Sequence, residues 1–200
     1  MNILYKGLAQ ILSIPARLKG VKFGKNSFIG PGYDWLHVGL KGVVLGDNIT
    51  IGRNAWIQTR YKSAPGEARY QATAGKARYQ TVPGRVLITI GNNTQIGRHV
   101  VISAIKKITI GSNCLFGYNV SLVDHDHLLD PKLSPVESGL GKPEEIEIGD
   151  EAFIGAHSFI LKGVHLGQHC VVGANSVVAK SFPAYSVIAG NPARLIRKLK

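Results

Sequence analysis

A large aliphatic or aromatic residue followed by glycine recurs along this chain on a period of six. The pairs are Phe23-Gly24, Ile29-Gly30, Leu45-Gly46, Ile51-Gly52, Ile90-Gly91, Ile96-Gly97, Ile110-Gly111, Phe116-Gly117, Ile148-Gly149, Ile154-Gly155, Leu166-Gly167 and Val172-Gly173, which use twelve of the 24 glycines. The fourth residue after the aliphatic is nearly always small or β-branched, as at Ser27, Ile49, Ala55, Thr94, Val100, Cys114, Val120, Ala152, Ser158, Cys170 and Ser176. An amphipathic helix needs apolar spacing near 3.6, and antiparallel strands need hairpin turns; neither gives a period of six. A chain that turns every six residues sends one large side chain inward, needs glycine at the sharp bend, and has room for only a small inward group before the next turn. Three such units close one triangular coil of about 18 residues. The longest unbroken register, Ile148, Ile154, Ile160, Leu166, Val172, Val178, predicts two full coils. The expected fold is an all-β solenoid of short stacked parallel strands, with ends that need covering. Its handedness does not follow from the period, since the general crossover rule favours a right-handed path.

Two segments break the register, and loops thrown out of a regular solenoid are where specificity usually sits. The first, 60–85, carries Arg60, Lys62, Arg69, Lys76, Arg78 and Arg85 against one acid, Glu67, and contains Ala-Arg-Tyr-Gln twice. It reads either as a basic flap for an anionic acceptor, such as a nucleotide- or lipid-diphosphate-linked sugar, or as a solvated insertion. The second, 124–145, opens with Asp124-His125-Asp126-His127. Ahead of the repeats, Asn2 to Lys19 shows roughly helical apolar spacing at Ile3, Leu4, Leu8, Ile11, Leu12 and Leu18, beside Lys6, Arg17 and Lys19. That segment is expected to cap the first coil; contact with an acidic membrane surface is the other reading. The organisation is thus a helical cap at 1–20, a β-helix at 21–190 with loops at 60–85 and 124–145, and a basic tail at 191–200.

Composition narrows the partners. At 200 residues and 44% hydrophobic content the chain holds one continuous core. No apolar run reaches the roughly 18 residues of a membrane span, and the start lacks the order of a signal peptide, so the expected compartment is the cytoplasm, with peripheral contact at the inner face of the membrane as an extension. A net charge of +12 calls for an anionic partner. Aromatic residues make up 8% and do not alternate with the basic ones, which argues against a stacking surface for nucleic acid. Cys114 and Cys170 fall at small repeat positions and read as core residues rather than redox or zinc ligands.

The repeats, together with the closing run from Val171 through Gly190-Asn191-Pro192-Ala193-Arg194, resemble the hexapeptide-repeat acyltransferases that include galactoside, maltose and serine acetyltransferases. The resemblance covers roughly residues 21 to 197 and implies a left-handed parallel β-helix assembled as a homotrimer, with acetyl-CoA as co-substrate and no metal. Moving an acetyl group from a thioester to a hydroxyl needs a base for the hydroxyl proton and donors for the oxyanion. Histidine suits the base. Alternation from an inward Leu122 sends both His125 and His127 outward and so does not choose between them. The resemblance places the essential histidine five residues after the aliphatic position, which is His127; with a gap it is His125. Asp124 or Asp126 is expected to orient the ring.

Carried over residue by residue, the resemblance puts acetyl-CoA contacts at Ala156, Ala174 and Ala179, with Lys180, Arg194 and Arg197 near its phosphates. Phe153 departs from the tryptophan that related sugar acetyltransferases often carry before Ile-Gly, a change in acceptor stacking. A zinc reading through His99, His157, His165 and His169, as in trimeric carbonic anhydrases of the same fold, finds no matching spacing. His157, His165 and His169 read as structural surface residues. The expected activity is transfer of acetyl from acetyl-CoA to a sugar hydroxyl, on a small-molecule or lipid-linked acceptor, in surface polysaccharide biosynthesis. The rivals are N-acetylation of an amino sugar and a noncatalytic β-helical scaffold.

Overall fold

In the computed structural model, period six becomes short strands, and along one wall a small or β-branched buried residue opens the strand and glycine closes it, as Ala152, Phe153–Ile154 and Gly155 show. The structure describes residues 10, 11, 13–31, 42–59, 70–73, 76–79, 87–134 and 138–200, with the backbone alone at 70–73 and 76–79. Three sheets form the walls of a prism. The first stacks Lys22–Phe23, Val43–Leu45, Ile88–Ile90, Ile108–Ile110, Ile146–Ile148 and His165–Leu166. The second runs from Phe28–Ile29 through Thr50–Ile51, Gln95–Ile96, Leu115–Phe116, Phe153–Ile154 and Val171–Val172 to Ser186–Gly190 and Ala193–Lys198. The third stacks Trp56–Thr59, Val101–Ala104, Ser121–Val123, Phe159–Ile160 and Val177–Val178. This is the left-handed parallel β-helix that the resemblance implied.

The inward side chains meet their counterparts in the next coil, so Ile51, Ile96, Phe116, Ile154, Val172 and Ile188 form one buried column in the second sheet. Each contributes about 1.5–3 kcal/mol of burial. All eleven small or β-branched positions named above are buried. Glycine at the bend is a packing requirement: a Cβ on Gly155 would lie 2.5 Å from the backbone nitrogen of Ala174 in the next coil.

The corners follow a rule that the aliphatic-glycine pattern did not express. Three residues after the aliphatic, the backbone enters the left-handed region at Asn26, Asn48, Asn54, Asn93, His99, Asn113, Asn119, Glu151, His157, His169 and Asn175. Asparagine tolerates that conformation, and its side chain also bonds its neighbours. At one corner, Asn26 donates to Asn48, Asn48 to Asn93, and Asn93 to Asn113. His99, His157 and His169 are therefore corner residues, and among the described residues no three His, Cys, Asp or Glu side chains converge.

Coil length marks each departure. Phe153 pairs with Val171 and Phe159 with Val177, 18 residues on in both cases. Ile102 pairs with Leu122, 20 on, because the chain bends through Ile105, Lys106 and Lys107. Phe116 pairs with Ile154, 38 on, across the loop 124–145. Within 60–85, Tyr70–Thr73 and Lys76–Tyr79 form an antiparallel hairpin that pairs Tyr70 with Tyr79. The side chains of that insertion, and its remaining residues, lie outside the described set.

Both ends of the prism are covered. Helix α1, Ile14–Leu18, tucks Ala16 against the first coil, and the buried Ser13 hydroxyl accepts the N–H of Ile29 at 3.1 Å. The part of the expected N-terminal helix at 1–9 lies outside the described residues. The segment expected as a basic tail carries a strand instead. Ala193–Lys198 folds back antiparallel on Ser186–Gly190, because the last parallel strand would otherwise leave its N–H and C=O groups unpaired.

Cys114 and Cys170 are free thiols buried in the core. Burial pushes the Cys114 thiol above its ordinary range, so less of it is the reactive thiolate. Iodoacetamide at pH ~8 is expected to leave both unlabelled in the native protein and to label both in denaturant, read by intact mass. Fast native labelling would contradict their place in the core.

Candidate active site

The third sheet carries the His-Asp cluster. Strand Ser121–Val123 turns Leu122 inward, and the next inward position is Asp124, fully buried. A buried carboxylate needs donors, and this one has four. The N–H groups of Ile105, Lys106 and Lys107 donate to it at 2.7–3.0 Å, and the Nδ1 of His125 lies 2.9 Å from its Oδ1. Asp124 thus fills the space opened by the two extra residues of the preceding coil. The contact favours the His125 tautomer that carries its proton on Nδ1, leaving Nε2 as acceptor.

The chain then leaves the prism. Asp126 and His127 are exposed, and the backbone of 126–128 pairs with 139–141: Leu128 donates to Gly139 at 3.0 Å and Gly141 to Asp126 at 2.8 Å. Lys162, from the next coil, closes the base of the loop through Asp126 Oδ1 at 2.8 Å and the Lys142 carbonyl at 3.2 Å. A Cβ on Gly141 would sit 2.3 Å from that Asp126 oxygen, so glycine lets the two arms approach. The two histidines therefore differ. His125 has a side chain only 10% exposed and held by Asp124, whereas the ring of His127 is open to solvent and has no hydrogen-bond partner among the described residues. Of the two aspartates, Asp124 meets a histidine ring and Asp126 meets Lys162.

Register places the remaining candidates. Leu122, Ile160 and Val178 are paired across three coils, so the corner that follows them carries the His-Asp loop, then Lys162, then Ala179 and Lys180. Ala156 and Ala174 are neighbours at the opposite corner of the same wall, where Asn175 donates to the Ala156 carbonyl at 2.9 Å. Arg194 stands across from Ala189, whose Cβ would lie 2.9 Å from one built on Gly173, so it belongs to this second corner. Between the corners lies the outer face of the third sheet, with exposed Phe159. Ala174, Ala179, Lys180, Arg194 and Arg197 are exposed and Ala156 is partly so. Among the described residues neither arginine is paired with a carboxylate; Arg194 donates to the Ala193 carbonyl and Arg197 to that of Lys198. The Lys180 ammonium lies 5.5 Å from the Phe182 ring centroid.

Phe153 is exposed on the second sheet beside Leu115. His165 stands apart from these groups, on the first sheet, with its Nδ1 3.2 Å from Glu147 Oε2 at the rim of a shallow 610 Å³ cleft.

The period-six repeat that builds these walls is also what comparison with known proteins finds. Residues 107–123 and 145–180 match the family model of the hexapeptide repeat of succinyl-transferase. The chain is 35% identical over 122 residues to a putative lipopolysaccharide biosynthesis O-acetyl transferase, WbbJ, of Escherichia coli K12, covering 58% of this chain and 62% of that one. It is 36% identical over 125 residues to the galactoside O-acetyltransferase of the same organism, covering 57% and 58%. The hexapeptide-repeat acetyltransferase VCA0836 of Vibrio cholerae, solved with acetyl coenzyme A, superposes with a TM-score of 0.52 at 34% identity over 56% of this chain and 61% of that one. The chain thus spans about three fifths of the length of these relatives.

Proposed function

We propose that this protein transfers an acetyl group from acetyl-CoA to a hydroxyl of a sugar, with His127 as general base. The observation that carries the reading is the exposed imidazole on a loop rooted at the corner shared with Ala179 and Lys180, in a chain similar to acetyltransferases. The acceptor hydroxyl gives its proton to the imidazole as its oxygen attacks the thioester carbon. The tetrahedral oxyanion collapses, the C–S bond breaks, and the imidazolium returns the proton to the departing thiolate. Acetyl-CoA would lie along the wall between the two corners. Small Ala156 and Ala174 leave their backbone accessible to its amide-bearing arm, and Arg194 and Arg197 face its phosphates.

One contact favours a second assignment within the same reaction: the Asp124 carboxylate on Nδ1 of His125 is the arrangement that fixes a tautomer and supports an imidazolium. The assembly belongs to the proposal as well. We take it to be a homotrimer, with the exposed Trp56, Leu115, Phe153 and Phe159 available to line its interfaces. The acceptor class is a small or lipid-linked sugar of surface polysaccharide synthesis, in the cytoplasm. No described helix is long and apolar enough to cross a membrane.

The test is release of free CoA from acetyl-CoA in the presence of hydroxyl-bearing and amine-bearing sugars, with calorimetric titration of acetyl-CoA alongside. Turnover with hydroxyl acceptors supports the reading. Turnover confined to amines replaces it with N-acetylation, and absence of acetyl-CoA binding replaces it with a scaffold role.

A further inference from the structure

Among the described residues, the helical cap presents a second face to solvent. Ser13 and Ala16 turn inward and are buried, whereas Ile11, Ile14 and Leu18 are 61%, 49% and 82% exposed. Ile14 and Leu18, four residues apart, share one side of the helix, and Ile11 lies exposed just ahead of its Ser13 turn. Covering the first coil needs only the small inward residues, so large aliphatic groups facing water contribute nothing to that task.

Along the sequence, the charges that flank the helix up to Asp34 are basic. From Met1 to Tyr33 the chain contains five lysines and arginines and no aspartate or glutamate. Arg17, on the helix, lies with its guanidinium carbon 4.3 Å from the centroid of the Phe23 ring, and Lys19, Lys22 and Lys25 follow it at the same end of the prism. Asp47, one coil on, accepts the backbone N–H of Lys25 at 2.6 Å.

We infer that this end of the prism docks on an anionic phospholipid surface, with Ile11, Ile14 and Leu18 entering the boundary between headgroups and acyl chains and the cations meeting the phosphates. Exposed aliphatic side chains flanked by cations need an apolar phase and an anionic layer a few ångströms apart, which a bilayer surface supplies together. A second copy of this chain would bring the same cations against one another, so charge complementarity favours lipid over self-association. Three aliphatic side chains make a shallow anchor, and the binding is therefore reversible and weakened by salt. The inference stands apart from the acetyl-transfer reading and its test does not depend on turnover.

The experiment is co-sedimentation of the full chain with vesicles of phosphatidylcholine alone and of phosphatidylcholine with roughly one quarter phosphatidylglycerol. The protein is expected to pellet with the anionic vesicles only, and to be released as salt rises from about 0.1 to 0.5 M. The double variants Ile14→Glu/Leu18→Glu and Lys19→Glu/Lys22→Glu are each expected to bind roughly tenfold less, with circular dichroism, Tm and sedimentation coefficient unchanged. Failure of the wild-type chain to pellet, equal binding to neutral vesicles, or unaltered binding by the aliphatic double variant would overturn the inference. So would a smaller assembly for that variant, which would make this face a contact between copies.

Discussion

His127→Ala is expected to reduce kcat by about 10²–10⁴-fold while calorimetric titration still shows acetyl-CoA bound, because general-base catalysis contributes on that scale and the cofactor contacts lie on other residues. The variant should fold normally, since the ring is exposed and, among the described residues, makes no hydrogen bond. His125→Ala separates the two assignments. If the ring serves chiefly to cover Asp124, that variant loses Tm and keeps measurable turnover. If His125 is the base, the pattern reverses, with turnover lost in His125→Ala and retained in His127→Ala. Near wild-type kcat in both variants would remove the imidazole mechanism altogether.

Asp124→Ala is expected to be the most destabilising substitution in the loop. It leaves the N–H groups of Ile105, Lys106 and Lys107 without the carboxylate they share, in a place closed to water, and it frees the His125 ring. Orphaned buried donors cost about 1–3 kcal/mol each, with partial relaxation, so a net loss of about 3 kcal/mol is expected. For a chain of this length that corresponds to a fall in Tm of roughly 6–12 °C, measured by calorimetry or circular dichroism. Asp124→Asn keeps one acceptor oxygen and should recover part of the loss. A Tm unchanged in Asp124→Ala would mean that the bend at 105–107 does not depend on this carboxylate.

Much of the architecture was legible because the hexapeptide rule is local. Glycine after Ile154 and a small residue at Ser158 reflect how close the neighbouring backbone comes, and every coil imposes the same distances. The corner rule was equally present in the sequence, as asparagine or histidine three residues after the aliphatic, and it would have marked His99, His157 and His169 as corner residues at once. The two-residue lengthening at Ile105 to Lys107 was harder to see. It shifts the aliphatic spacing slightly, and its meaning emerges only when Asp124, almost a full coil later, is found bonded to it. Alternation sent both histidines outward, and the structure adds that Asp124 is buried with backbone donors from the preceding coil.

By itself, then, the sequence determined the prism: a six-residue period in side-chain size can be satisfied only by stacking equivalent strands, so the three walls and their buried columns followed from spacing alone. Tertiary structure decided what spacing does not encode. It turned Ala193–Lys198 back as a closing strand, set Lys162 against Asp126, and gave His125 and His127 opposite exposures although both are outward by alternation. The physical reason is that a repeat fixes each residue relative to its own coil, whereas burial and hydrogen bonding depend on what the neighbouring coils and loops bring to the same corner.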